Sequence, residues 1–309
     1  MDLFIKVKIL YIYINMSTNL NLLTYNVKMF ETLIRDLKNK DRAKWICEEI
    51  EKNHSNLDII IFQELFNEKC TKIFKKKLDK LGFKYNSQKL SSSDKFYLEN
   101  GGVMIFSKHK IILEEKVIFN KNVKEDKYAA KGGLKIKIIK DDIPIYIIGT
   151  HLQSGRKEHI WPIKESQFNQ LHKFTPENDI TILAGDFNID YHKYKDFLIK
   201  NMEKSNYKLL GIDREINTTV NDHFTDKFKK NYLDYIMWKS NEYTVTGELK
   251  VIDIRLKKGY KIPKKDVTWF QNKLNSVTDI FRKNKKHKIK VYNLSDHKPV
   301  FGFMKITKN

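Results

Sequence analysis

The chain has 309 residues, enough for one large layered domain or two small ones, and its 41% hydrophobic and 12% aromatic content is ample for a buried core and argues against a disordered chain. Its formal charge is +21, from 59 basic against 38 acidic residues, and Arg stands only at positions 35, 42, 156, 214, 255 and 282. Such a lysine excess makes either a solvated surface or an attraction to a polyanion, whether nucleic acid or an anionic membrane face, and it does not bear on fold. No run approaches the roughly 18–20 apolar residues of a membrane-spanning helix. Two cysteines, Cys47 and Cys70, leave room for one bridge but make no disulfide framework, and neither has the CxxC partner of a zinc site.

In chain order, residues Leu3 to Ile14 are apolar but broken by Lys6 and Lys8, with no small-residue cleavage site after them. Residues 1–18 therefore read as an extension ahead of a start near Met16, and a single domain is expected over 19–309. The absence of a secretory pattern points to a cytoplasmic or peripheral-membrane protein rather than a secreted one. Strand-like runs follow at Asn21–Asn26, Asp58–Gln63, Gly102–Ser107, Lys135–Ile139, Ile145–Thr150, Ile180–Ala184, Tyr235–Trp238 and Val300–Ile306. Helical spacing appears at 31–52, 67–81, 160–174 and 191–203; in the first, Leu33, Ile34, Leu37, Trp45, Ile46 and Ile50 share a face. Short strands interleaved with helices predict an α/β layered domain.

Nearly every predicted strand ends on a polar side chain: Asn26, Glu64, His151, and Asp186 with Asn188. Groups projecting from adjacent strand ends converge on one rim of a sheet, where a rigid scaffold holds reactive side chains in place. Singly, each has a structural explanation. Asn26 can cap a turn, Asp186 can make an Asx-turn, Glu64 can mark a strand leaving the core, and His151 can be a hydrogen-bonded core histidine. The remaining histidines, His54, His109, His159, His172, His192, His223 and His287, lie in polar or Lys-rich stretches without ligand spacing.

In order along the chain stand Thr24-Tyr25-Asn26-Val27, Phe62-Gln63-Glu64, Gly149-Thr150-His151-Leu152-Gln153, Gly185-Asp186-Phe187-Asn188, Tyr232-Leu233-Asp234-Tyr235-Ile236 and Ser295-Asp296-His297. Together they resemble the successive motifs of the endonuclease/exonuclease/phosphatase superfamily. The resemblance implies a DNase I-like, four-layer α/β sandwich of two packed, mostly antiparallel sheets flanked by helices. It implies Mg²⁺, with Mn²⁺ or Co²⁺ able to substitute, and phosphodiester hydrolysis, which needs a metal, a deprotonated water and donors for the phosphate oxygens. By the same resemblance Glu64 is the metal ligand, Asn26 supports it or the metal's waters, and Asp296 belongs to the metal network. His297 is the general base, Asp234 orients its imidazole, Asp186 places the attacking water, Asn188 holds a phosphate oxygen and His151 stabilises the pentacovalent phosphorus.

Finer features resemble the bacterial-type neutral sphingomyelinases: Asn26-Val27-Lys28-Met29 where apurinic endonucleases carry an acidic residue at the Lys28 position, Glu99-Asn100-Gly101-Gly102-Val103, Arg156 and Gln167 after the His151 segment, and the Asp234 motif itself. That branch implies a sphingomyelin or phospholipid membrane partner and no protein partner. Val267-Thr268-Trp269-Phe270-Gln271, among Lys257, Lys258, Lys261, Lys264 and Lys265, resembles an aromatic hairpin for membrane contact, since Trp and Phe favour the bilayer interface. Glu68 and Glu99 are candidate ligands of an accessory metal, although the branch carries Asn where Glu68 stands. The competing reading is a Mg²⁺-dependent endonuclease or DNA-repair phosphodiesterase, favoured by the net charge and weakened by few arginines and no base-stacking strip.

Overall fold

The computed structural model describes residues 16–30, 37–91, 100–176, 179–211, 217–219, 230–263 and 288–309. Two six-stranded sheets face one another. The first runs β11 (Tyr243–Val251), β14 (Val300–Lys308), β1 (Ser17–Met29), β2 (Ile59–Leu65), β4 (Met104–Ser107) and β3 (Tyr85–Asn86). The second runs β5 (Leu113–Ile118), β6 (Gly132–Lys140), β7 (Ile143–His151), β8 (Ile180–Asp186), β10 (Asp234–Lys239) and β9 (Lys208–Leu209). A separate ribbon pairs β12 (Arg255–Pro263) with β13 (Lys288–Asn293). Four helices, α1 (Asn39–Asn53), α2 (Glu68–Lys80), α3 (Trp161–Phe174) and α4 (Tyr191–Lys204), are described.

Period-two alternation sorts the strand residues into layers. Leu20, Leu22, Ile59, Ile61 and Ile105 of the first sheet meet Ile136, Ile145, Ile147, Ile182 and Ile236 of the second in a wholly buried core. The opposite face of the first sheet, with Tyr25, Ile60 and Phe62, packs against Ile46 and Ile50 of α1 and Phe74 and Leu78 of α2. On the second sheet Ile148, Leu183 and Tyr235 pack against Phe168 and Leu171 of α3 and Leu198 and Met202 of α4. The result is the four-layer DNase I-like sandwich. Gly149 lets the sheets approach near one end, because a Cβ there would sit 2.7 Å from the Ile61 side chain.

Each sheet holds one parallel pair, β1–β2 and β7–β8, joined by a crossover through α1 and α3 respectively, and the other pairings are antiparallel. Parallel partners put their carboxyl ends at the same rim. All eight expected strands and four expected helices are present, with shifted bounds. The first helix is described only from Asn39, and Leu33 and Ile34 lie outside the described residues. The domain begins before residue 19, because Ser17 and Thr18 pair with Thr307 and Ile306 of β14. Strands not expected from sequence are short, as β3 and β9, or carry exposed polar residues, as Leu113–Ile118 and Tyr243–Val251. Cys47 and Cys70 are both buried and unbridged. No helix among the described residues is long and apolar enough to cross a membrane.

Candidate active site

The same alternation that builds the inter-sheet core delivers the polar groups. Asn26 continues the face of Leu20 and Leu22, His151 that of Ile145 and Ile147, Asp186 that of Ile182 and Ala184, and Asp234 that of Ile236. Register sets His151, Asp186 and Asp234 abreast on three neighbouring strands. Glu64 breaks the parity, since it alternates with Gln63 away from the core. Its backbone turns into the left-handed region (φ 52°), which brings its carboxylate back to Asn26. Gly102 makes room for that turn: a Cβ there would lie 3.0 Å from Glu64 Cα. Gly185 has φ 155°, and a Cβ would meet the Thr150 carbonyl at 2.0 Å.

One amide joins the two sheets. Asn26 Nδ2 donates to Glu64 Oε1 at 2.9 Å and to Asp186 Oδ2 at 3.1 Å. His297, in the loop before β14, places Nδ1 2.8 Å from Asp234 Oδ2 and Nε2 3.6 Å from Asp186 Oδ2. Thr218 donates its hydroxyl to the same Asp234 oxygen. Burial on its own would lower the His297 pKa, but Asp234, Asp186 and Asp296 around it raise it to about 10. Burial pushes Asp234 up to about 6 against the opposing pull of the imidazolium. The two shifts describe one buried ion pair, and the dominant direction is protonation of His297. Asp186, although buried, is held below the usual carboxylate range by His297, His151 and the Asn188 amide.

Asn188, also left-handed (φ 53°), donates its backbone N–H to Asp186 Oδ1 at 2.8 Å and its side-chain amide to the Leu152 carbonyl, and that amide stands 3.1 Å from His151 Nε2. Burial, and next the Lys131 ammonium 3.2 Å from Nε2, lower the His151 pKa. Lys131, itself buried, also donates to the Leu152 carbonyl and pairs with Asp126 at 3.0 Å. Asp296 is ion-paired with Lys28, which holds its carboxyl down despite burial. Ser295 donates to the Asn26 carbonyl at 2.7 Å and anchors this segment to β1.

The structure thus brings together Asn26, Glu64, His151, Asp186, Asn188, Asp234, Asp296 and His297. Glu68 stands apart at the start of α2, its carboxylate against Lys89. Glu99, Trp269 and Phe270 lie outside the described residues. Lys131, Asp126 and Thr218 were not singled out from sequence, and Lys28 and Ser295 stood in the quoted motifs without a role of their own. A lysine followed by two glycines at a strand start is the one trace Lys131 leaves.

The donor chemistry fits a divalent cation. Glu64, His151 and Asp186 each offer a ligand atom, all within 4.8 Å of one another. The two carboxylates of this set suit an oxygen-seeking ion such as Mg²⁺.

The endonuclease/exonuclease/phosphatase family matches residues 23–297, and the chain belongs to it. Sphingomyelinase C 1 of Leptospira interrogans is 29% identical over 230 residues, covering 65% of this chain and 37% of that protein. The chain spans 37–45% of the length of the first three curated relatives it matches. Among solved structures, SmcL superposes with a TM-score of 0.74 at 22% identity, over 92% of this chain and 98% of its own. A beta toxin variant of Staphylococcus aureus with bound magnesium ions reaches 0.72 at 21%, over 93% and 99%.

Proposed function

We propose that this chain is a metal-dependent phosphodiesterase that cleaves a choline phosphodiester lipid in the manner of a C-type sphingomyelinase. The observation that carries the reading is the Asn26 amide shared by Glu64 and Asp186, one carboxylate from each sheet, beside the His297–Asp234 pair. Glu64 and Asp186 would hold a Mg²⁺ ion, with the Asn26 amide keeping the two carboxylates together. Bound there, the ion supplies charge neutralisation for the phosphate and, by offsetting the carboxylates, releases His297 to its neutral form.

Asp234 fixes the imidazole so that Nε2 faces Asp186, the group best placed to orient a water. Nε2 takes that water's proton as its oxygen bonds to phosphorus. The phosphorus bond to the lipid alcohol breaks opposite, solvent water protonates the departing alkoxide and the proton on His297 returns to solvent, leaving phosphocholine and ceramide. Asn188 would donate to a non-bridging oxygen on exchanging its contact with His151, and the Lys131 ammonium adds positive potential as charge builds.

The curated relatives named sphingomyelinase C support the lipid substrate. The +21 charge supports attraction to an anionic leaflet, and equally a second reading in which nucleic acid is cleaved. Contact through Trp269 and Phe270, and a working place at a membrane face, belong to the first reading.

The test is phosphocholine release from sphingomyelin vesicles beside cleavage of plasmid and abasic DNA, with and without Mg²⁺, for wild type and His297→Ala. Mg²⁺-dependent release lost in the variant supports the lipid reading; DNA cleavage with silent vesicles replaces it by the second.

A further inference from the structure

The two crossover helices share a feature that the chemistry above does not use. The fourth residue of α1 is Arg42 and the fourth residue of α3 is Lys164, and both are completely buried. A cation in the first turn of a helix faces the positive end of the helix dipole, and a buried one also loses its hydration, so both positions are unfavourable unless strong acceptors compensate.

Apart from the Asn39 side chain of its own helix, which Arg42 reaches at 3.0 Å, the acceptors are backbone carbonyls of the catalytic segments. Arg42 donates to the carbonyls of Val27 and Lys28, in the bulge of β1 after Asn26, and from Nε to the carbonyl of Leu294 at 2.6 Å, which leads into Ser295-Asp296-His297. Lys164 Nζ donates to the carbonyl of Gly155 at 2.9 Å, in the segment after His151, and to that of Asn188 at 2.5 Å. Its ammonium also lies 4.9 Å over the Trp161 ring. Burial draws its pKa down to about 7, consistent with a position closed to water.

We propose that Arg42 and Lys164 are positioning residues, each locking two catalytic segments of its own sheet together from the outer helix layer. Arg42 couples the β1 bulge after Asn26, where Lys28 is left-handed, to the His297 loop. Lys164 couples the His151 segment to the Asp186–Asn188 turn, where Asn188 is left-handed. Neither side chain touches the reacting atoms. Their effect is on geometry: a displacement of about 1 Å in a catalytic group costs on the order of 100-fold in rate.

The test pairs turnover with an activity-independent readout in the full chain. Its turnover arm rests on the phosphodiesterase reading and uses sphingomyelin vesicles with Mg²⁺; its second arm, amide hydrogen exchange, does not. Lys164→Met should lower kcat by about 10- to 100-fold with KM within about threefold, and Lys164→Arg should restore part of it. In an Asn188→Ala background, Lys164→Met should add less than about threefold, because coupled residues are not additive. Arg42→Lys, chosen to keep the fold, should combine multiplicatively with Lys164→Met, since the two act on different segments. Exchange should quicken at residues 152–157 and 186–190 in Lys164→Met and at 27–30 and 294–298 in Arg42→Lys, with the inter-sheet strands unchanged. Unchanged exchange in these segments overturns the proposal whether or not the substrate reading survives. Fully multiplicative losses for Lys164→Met and Asn188→Ala overturn it for Lys164.

Discussion

His297 Nδ1 lies 2.8 Å from Asp234 Oδ2 inside the rim of the sandwich, and the pair holds its proton on the imidazole side. With its pKa raised to about 10, His297 contributes stability that is fully present below the ordinary histidine value of 6.5 and is lost as pH rises through about 10. In metal-free protein, the ring observed by NMR should stay protonated through pH 8. Asp234→Asn should bring its titration down and lower kcat by about 10²–10⁴-fold, the usual range for an impaired general base. An unchanged titration in the variant would rule out Asp234 as the source of the shift.

Mg²⁺ should raise the melting temperature of the wild-type protein and not that of Glu64→Gln. At a concentration 100 times the dissociation constant, linkage gives about 2.7 kcal/mol of stabilisation. Equal stabilisation of both proteins would remove Glu64 from the metal site.

Gly185→Ala should be among the most damaging single-atom additions in the chain. Its methyl would fall 2.0 Å from the Thr150 carbonyl, in the β7–β8 pairing that carries His151 and Asp186. Denaturant unfolding should show a loss of about 3 kcal/mol or more, the upper end for overpacking.

At the far end of the sandwich Asp58 accepts from His109 at 2.9 Å, Lys140 at 2.6 Å and the Asn21 amide at 2.9 Å, tying the first sheet to the second. Burial alone would raise its pKa, but these donors lower it below the ordinary 3.8. Its contribution is therefore present above about pH 4 and lost as pH falls through the depressed value. Asp58→Asn should cost about 1.5–3 kcal/mol near neutrality, as expected for hydrogen bonds to a charged group, and flatten the acid limb. Turnover should be unchanged, because the cluster is remote from the rim.

Much of this architecture was readable from sequence because its central strands are buried on both faces, and runs such as Ile59-Ile60-Ile61-Phe62 announce themselves. Glu64, His151 and Asp186 were readable for a related reason, since each follows on such a run, whereas Asp234 opens β10 and His297 precedes β14, and both were legible only through the motif resemblance. What escaped was set by tertiary placement. The strand Tyr243–Val251 alternates exposed Thr and Glu with few core residues and is defined by its nine-residue pairing with β14. Lys131 and Lys164 look like two of many lysines, and only folding buries them. Lys28 stands in sequence only as a mark of the branch, and its ion pair with Asp296 spans 268 positions.

The Asn26 amide reaches a carboxylate on each sheet, so it senses how the two sheets are aligned. A slide of either sheet by a fraction of a residue spacing would break one of its two bonds while leaving both sheets internally intact. The greasy layer between them, with Ile61 close against Gly149, is in that sense a bearing surface whose tolerance the chemistry inherits. Side chains far from any reacting atom thereby set how faithfully the two halves of the rim meet.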